Sequence, residues 1–162
     1  MFAVWADPKN KAVEVQISKL ALTQHRAIRQ AFYRIGKDLI KESKKMILAK
    51  PKHGRLYKLR RKKQTVLHRA SRAGEAPASF TGSLWKSLDF DVIGSDKMQF
   101  GAKQEFQNRK GNPKGVTYAK YLENGTYKMA QRPYLITSIK KNQRNIRNHF
   151  ESKLKQYLTK KV

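Results

Sequence analysis

Cysteine is absent from this sequence, which removes disulfides, thiolate zinc sites and cysteine nucleophiles from consideration. No stretch approaches the roughly 18 consecutive apolar residues that a membrane-spanning helix needs. The apolar opening, Met1 to Ala6, is too short for a signal peptide and carries no basic n-region. The chain therefore reads as a soluble, intracellularly made protein with no membrane partner. Acids are scarce as well: 11 Asp and Glu stand against 37 Lys and Arg, a formal net charge of +26 over 162 residues. A field of that strength repels itself and asks for a polyanion or an acidic protein surface beside it. By charge alone nucleic acid is the first candidate, an anionic membrane the second and acidic protein subunits the third, and of these the membrane is set aside.

Patterns that carry catalysis are also missing. His25, His53, His68 and His149 are scattered without HxxH or HExxH spacing, so a metal site has no support. Phosphate-cradling glycine loops of the Walker or dinucleotide kind are absent, and Ser79, Ser83 and Ser87 have no nucleophile-elbow context. Asp89 and Asp91 would share one face of a strand. A general acid–base pair needs a burying cleft, so they read as exposed strand positions. Glu75 and Glu123 stand alone and read as turn or helix-end groups. The expectation is a protein that is not an enzyme and uses no cofactor.

What is present is a set of amphipathic segments sized for one domain, residues 1–162. Residues 1–11, with Trp5 and Asp7-Pro8, suggest an extended lead-in. Val13, Val15 and Ile17 alternate with Glu14, Gln16 and Ser18, the period of a half-buried strand. From Thr23 to Leu48 the period changes: Ile28, Ala31, Phe32, Ile35 and Leu39 recur at helical steps, and Pro51 ends the helix. Gly36 inside it costs about 1 kcal/mol against Ala and so marks close packing.

Residues 50–75 form a basic stretch with no acid between Glu42 and Glu75. Arg55, Lys58, Arg60, Arg61, Lys62 and Lys63 dominate it, with Leu56, Tyr57, Leu59, Val66 and Leu67 interleaved. It reads as a long basic loop, which a β-hairpin would also satisfy, and its cations as contacts to DNA or an acidic partner. Thr81 suits the N-cap of a short helix over Gly82 to Ser87. Leu88, Phe90 and Val92, then Met98, Phe100 and Ala102, alternate as two strands around a turn at Gly94-Ser95-Asp96. Asn108 to Gly115 reads as a polar loop.

A short helix from Tyr118 to Leu122 follows, stopped by Glu123-Asn124-Gly125-Thr126. Arg132-Pro133 restarts the chain into a C-terminal helix over residues 133–162, whose apolar face would be Leu135, Ile139, Ile146, Phe150, Leu154 and Leu158. That face breaks at Asn142 and Gln143, where the helix should bend or leave the core. Tyr57, Trp85, Tyr118, Tyr121, Tyr127 and Tyr134 lie near basic residues and could stack on bases, but their spacing fits core and interface packing better. The fold class is α+β: a small, mostly antiparallel sheet packed by two long helices, with a long basic loop.

Two stretches taken together resemble a known family. His68-x-Ala-Ser-x-x-Gly-Glu-Ala-Pro-x-x-x-Thr81-Gly82-x-Leu-x-x-Ser87 is similar to one motif of the neck and tail-completion proteins of tailed double-stranded-DNA phages, a group that includes the lambda-type minor tail protein Z. Tyr118-Ala119, Leu122-Glu123-Asn124-Gly125-Thr126 and Arg132-Pro133-Tyr134-Leu135 are similar to a second. Ala73, Asn124 and Tyr134 depart from the family pattern, which more often has Pro, Phe and Phe there.

The resemblance implies a structural virion protein at the head–tail junction, assembled in the host cytoplasm. It would form a ring of roughly six or twelve copies, a closed cyclic assembly. Its neighbours would be connector or adaptor proteins and tail-terminator or tail-tube proteins, and packaged double-stranded DNA would pass through the lumen. Thr81, Gly82, Gly125 and Thr126 would set turns at the sheet edge, Glu123 would close the short helix, and Arg132, Pro133 and Tyr134 would seat the last one. A stand-alone, non-specific nucleic-acid-binding protein is the alternative.

Overall fold

The computed structural model describes residues 8–61, 64–94, 97–103 and 118–159, with side chains from Gln24 onward in the first helix. That helix, α1, spans Pro8–Leu48, 41 residues. A basic hairpin follows, β1 (Leu56–Arg61) and β2 (Gln64–Arg69), then the single turn α2 (Ser83–Lys86). A second hairpin comprises β3 (Leu88–Ile93) and β4 (Lys97–Ala102). The short α3 (Ala119–Asn124) and the long α4 (Leu135–Thr159) complete the order. The class is α+β with two long helices, as expected. Among the described residues, however, the strands form two separate two-stranded antiparallel sheets instead of one.

The amino-terminal strand around Val13 does not exist: residues 8 to 22 continue the helix. Val13 and Ile17 are also i and i+4, and Leu20 and Ala21 continue that spacing. Alternation over five residues therefore fits a helix equally well. No Gly or Pro separates this stretch from the strongly periodic part, so the helix propagates back to Pro8, a residue suited to a first turn. Pro8 to Lys11 are thus helical and not an extended lead-in. The polar loop expected at Asn108 to Gly115 lies outside the described residues.

Helices α1 and α4 pack antiparallel. Ser43 Oγ donates to the Tyr134 carbonyl at one end, Asp38 meets His149 at 2.7 Å further along, and Phe32 stacks edge-on to Phe150. Against the middle of α1 (Ala31, Ile35, Leu39) lie Met98, Phe100, Ile146 and Phe150. At its C-terminal end Ile47 joins Leu84, Leu88, Ala119 and Tyr134, with Trp85, Leu122 and Leu135 around them. The core is one ribbon along α1 with two thickenings.

Register in the second hairpin explains its two faces. Leu88 pairs Ala102, Phe90 pairs Phe100 and Val92 pairs Met98, so these share the face toward α1. Asp89 and Asp91 fall on the other face, where Lys103 Nζ bridges them at 2.8 and 3.4 Å. Gly36 is buried under Phe90, the close packing expected of it.

The buried stripe of α4 differs from the expected one. Ile139 and Leu154 are exposed, while Ser138, Asn142 and Lys153 are buried. The helix does not leave α1 at Asn142, which is buried, and His149 and Phe150 beyond it still meet Asp38 and Phe32. Asn142 Nδ2 donates to the Ser138 carbonyl at 2.9 Å and Ser138 Oγ to the Leu135 carbonyl at 2.7 Å, so the polar groups are satisfied within the helix. Small, self-satisfied polar side chains let α1 and α4 approach where larger apolar ones would hold them apart.

Candidate functional site

Two loops fix the ends of α1 and α4, and each depends on one carboxylate. After the cis peptide bond Lys50–Pro51, Lys52 turns inward. It is only 7% exposed, and its Nζ donates to the carbonyls of Met46 at 2.8 Å and Ala76 at 3.0 Å. This lysine belongs to the basic stretch by sequence but is no partner contact, because it ties the last turn of α1 to the connector before α2. Burial lowers its pKa, and the nearby Glu75 charge partly offsets that. Glu75 accepts from the backbone N–H groups of Arg72 and His53 and pairs with the His53 ring at 3.2 Å. Burial works against its ionisation, but these hydrogen bonds and the Lys52 charge prevail and hold the carboxyl below its ordinary range.

Glu123 does the equivalent work at the other loop. It is buried, and its two oxygens accept the backbone N–H groups of Tyr134, Leu135 and Ile136 at 2.9, 3.0 and 2.9 Å. The last residues of α3 thereby cap the first turn of α4 across the intervening turn. Gly125, at φ 77°, closes α3, and Thr126 and Met129 exchange backbone hydrogen bonds beyond it. Arg132 N donates to the Leu122 carbonyl at 2.7 Å, and Pro133 and Tyr134 then lead into α4 at Leu135. Both isolated acids are turn and helix-end groups, as read from the sequence. Gly125 and Thr126 are not at a sheet edge. Neither is Gly82, which takes the N-cap position of α2 with φ 80° while Thr81 Oγ1 accepts weakly from Ser83 N at 3.4 Å.

The two motif stretches meet in space. Gly74 N donates to the Gln131 carbonyl at 2.9 Å. Leu84 from the first stretch shares a core cluster with Ala119 and Tyr134 from the second, and Leu88, the first residue after that stretch, joins them. A cleft of about 430 Å³ opens between them, lined by Tyr57, His68, Phe80, Leu84, Tyr118 and Arg132 among others. The His68 and Phe80 rings lie 4.7 Å apart. Phe80 went unnoticed in the sequence, although a lone aromatic among Ala, Ser and Pro in a connector is itself a signal.

Tyr134 is fully buried at the meeting point, and among the described residues its hydroxyl has no hydrogen-bond partner. Burial chiefly, with the Glu123 carboxylate and Tyr118 adding to it, pushes the phenol far above its ordinary pKa. A hydroxyl desolvated without compensation is a net cost. Tyr134→Phe is accordingly expected to leave stability unchanged or raise it by about 1 kcal/mol, read as the urea midpoint at constant m. A loss of more than about 1 kcal/mol would mean the hydroxyl is bonded.

The basic hairpin stands beside this cleft, and among the described residues both its outer edges are unpaired. Cross-strand register gives it two faces. Leu56 with Arg69, Lys58 with Leu67 and Arg60 with Thr65 share one; Tyr57 with His68 and Leu59 with Val66 share the other. Arg55, Lys58 and Arg60 are exposed, with Arg55 over the Tyr57 ring at 5.7 Å. Arg61 ends β1, and Lys62 and Lys63 lie outside the described residues. Of the two forms that the basic stretch allows, a long loop or a β-hairpin, it takes the hairpin.

The aromatic residues divide. Tyr134 and Trp85 are core or core-packed, whereas Tyr57, Tyr118, Tyr121 and Tyr127 are exposed, Tyr127 at 92%. Lys120 lies over Tyr121 and Lys128 over Tyr127. Among the described residues no three His, Cys, Asp or Glu side chains come together as a metal site would require, and no helix is long and apolar enough to cross a membrane. Asp89 and Asp91 are half-exposed or more. The Lys103 ammonium hydrogen-bonded to Asp89 holds that carboxyl below its ordinary range, the opposite of what a proton donor at neutral pH needs.

Comparisons of the chain with protein-family models, with curated proteins and with solved structures return no match.

Proposed function

We propose that this chain is a structural subunit of a phage neck: a head–tail connector or tail-completion protein that closes into a ring around the DNA channel and joins the capsid connector to the tail. The observation that carries the reading is the convergence of the two family-like stretches. His68 to Ser87 and Tyr118 to Leu135 are far apart in sequence, yet they share a backbone hydrogen bond, a core cluster and a cleft. The rest of the architecture suits a building block. The long helices give a rigid body, and Glu75 and Glu123 fix the loops at their ends. The hairpin projects as an arm with cations outward.

The ring is tested by native mass spectrometry of the purified protein, with virion association as the second readout. The expected result is a closed cyclic oligomer of roughly six or twelve copies, present in purified particles. A strict monomer absent from particles overturns the reading.

One observation favours the second reading, a stand-alone non-specific nucleic-acid binder: exposed tyrosines paired with cations at Arg55–Tyr57, Lys120–Tyr121 and Lys128–Tyr127. It requires micromolar duplex affinity with a steep salt slope in the monomer. Neutralising Lys58 and Arg60 would lower that slope by about 1 per lost phosphate contact.

A further inference from the structure

A second concavity, of about 640 Å³, adjoins the motif cleft, sharing His68, Ala78 and Ser79 with it, and takes Leu56 and Leu67 from the opposite face of the hairpin. Its floor and walls include Ile47, Leu48, Pro51, Leu56 and Leu67. Leu48, Leu56 and Leu67 are 48%, 45% and 59% exposed, so three large aliphatic side chains from α1, β1 and β2 converge there without cover among the described residues. Lys50 and Arg69 line the same concavity. Strand register then places Lys58 and Arg60 further along the hairpin face that holds Leu56 and Leu67. An apolar floor thus continues directly into a cationic ramp.

A two-stranded hairpin alone in water is marginally stable, and it gains most from a third element laid against its apolar side chains. We propose that this concavity docks an acidic, leucine-bearing peptide segment of a partner protein, with aliphatic side chains on Leu48, Leu56 and Leu67 and carboxylates over Lys58, Arg60 and Arg69. Charge selects the partner. A second copy of this chain has few carboxylates to offer the ramp, 11 Asp and Glu against 37 Lys and Arg. Duplex DNA satisfies the cations but leaves three leucines wet, because its backbone offers phosphate and sugar and no aliphatic group to cover them. An acidic peptide with apolar anchors satisfies both halves. The partner's identity as a neighbouring virion protein rests on the ring reading; the chemistry of the site does not.

The experiment uses fluorescence anisotropy on the full-length protein at moderate salt, with a short labelled peptide alternating leucine with aspartate and glutamate. Saturable binding is expected. Replacing the peptide's leucines with serine should weaken it by about tenfold or more, as loss of buried anchors does. Leu67→Ser, a change at an exposed position that should leave the circular dichroism spectrum intact, should weaken it by a similar factor, as should the Lys58→Glu/Arg60→Glu pair. Equal affinity for leucine and serine peptides would show a non-selective polyanion surface and overturn the proposal. So would a copy-to-copy contact in native mass spectrometry that Leu67→Ser alone dissolves. Absence of peptide binding in a protein that still forms its ring would remove this inference and leave the neck reading standing.

Discussion

Replacing Glu123 with alanine is expected to destabilise the fold by about 3–5 kcal/mol, within the range for breaking a buried charged hydrogen-bond network. The side chain is 8% exposed and receives three backbone N–H groups. Those groups belong to the entry turn of α4, whose first donors have no intrahelical acceptor. A hydrogen bond to a charged acceptor contributes about 1.5–3 kcal/mol singly, and three sharing one carboxylate contribute less than three times that. The carboxylate also opposes the positive end of the α4 dipole. Alanine leaves all three donors without that acceptor next to a core that includes Tyr134, and water reaches them only if the turn opens. Glu123→Gln keeps a single acceptor oxygen and no charge, so about half the loss is expected. Urea denaturation gives the magnitude. Hydrogen exchange gives the location: the amides of residues 134 to 136 should lose protection before those in the middle of α4 do. A loss below about 1 kcal/mol for the alanine variant would mean that Glu123 is not the cap of α4.

The carboxylates show how far a sequence with few acids can be read. Glu75 and Glu123 stand alone in basic surroundings, and an isolated acid near Gly or Pro has few roles other than holding backbone N–H groups. Both do so, though nothing in the sequence says which turn each one holds. The carboxyl half of α1, the alternation in β3 and β4, and the stop at Gly125 were legible because each combines a period with a terminator. The first part of α1 was not, because five alternating residues satisfy both periods and the deciding factor is continuity with the helix beyond. The stripe of α4 misled for a different reason. Ser138 and Asn142 look polar in sequence, but their side chains bond to their own helix and present small surfaces to α1. Lys52 is indistinguishable by sequence from the cations around it. Only the carbonyls of Met46 and Ala76 set it apart, and these are tertiary partners. The hairpin was half visible, as apolar residues within a basic run, but its two faces depend on a register that no single strand reveals.

Gly36→Ala is the second substitution with a large expected effect, and its sign depends on a competition. In an isolated helix, alanine would stabilise α1 by about 1 kcal/mol over glycine. Here a Cβ at position 36 would run into Phe90 Cγ and lie 2.5 Å from Cδ2 and 2.7 Å from Cδ1. Cγ lies on the axis about which the ring turns, so ring rotation shifts the Cδ atoms but leaves the shortest contact in place. The whole side chain or β3 must move. Tyr33 packs edge-on to Phe90 at 5.8 Å, which limits the direction of that movement. Overpacking of this kind costs about 1–3 kcal/mol, and contacts this short belong at its upper end. The net expectation is a loss of about 2 kcal/mol, lowering the melting temperature by several degrees for a domain of this size. The competition can be separated by a double-mutant cycle. With Phe90→Ala the ring is gone, the Cβ at 36 has room, and only helix propensity remains. Gly36→Ala should then stabilise by about 0.5–1 kcal/mol, giving a coupling of about 2–3 kcal/mol between the positions. If Gly36→Ala destabilises equally in both backgrounds, the cost arises elsewhere and the packing of α1 on β3 at this point is not what requires glycine.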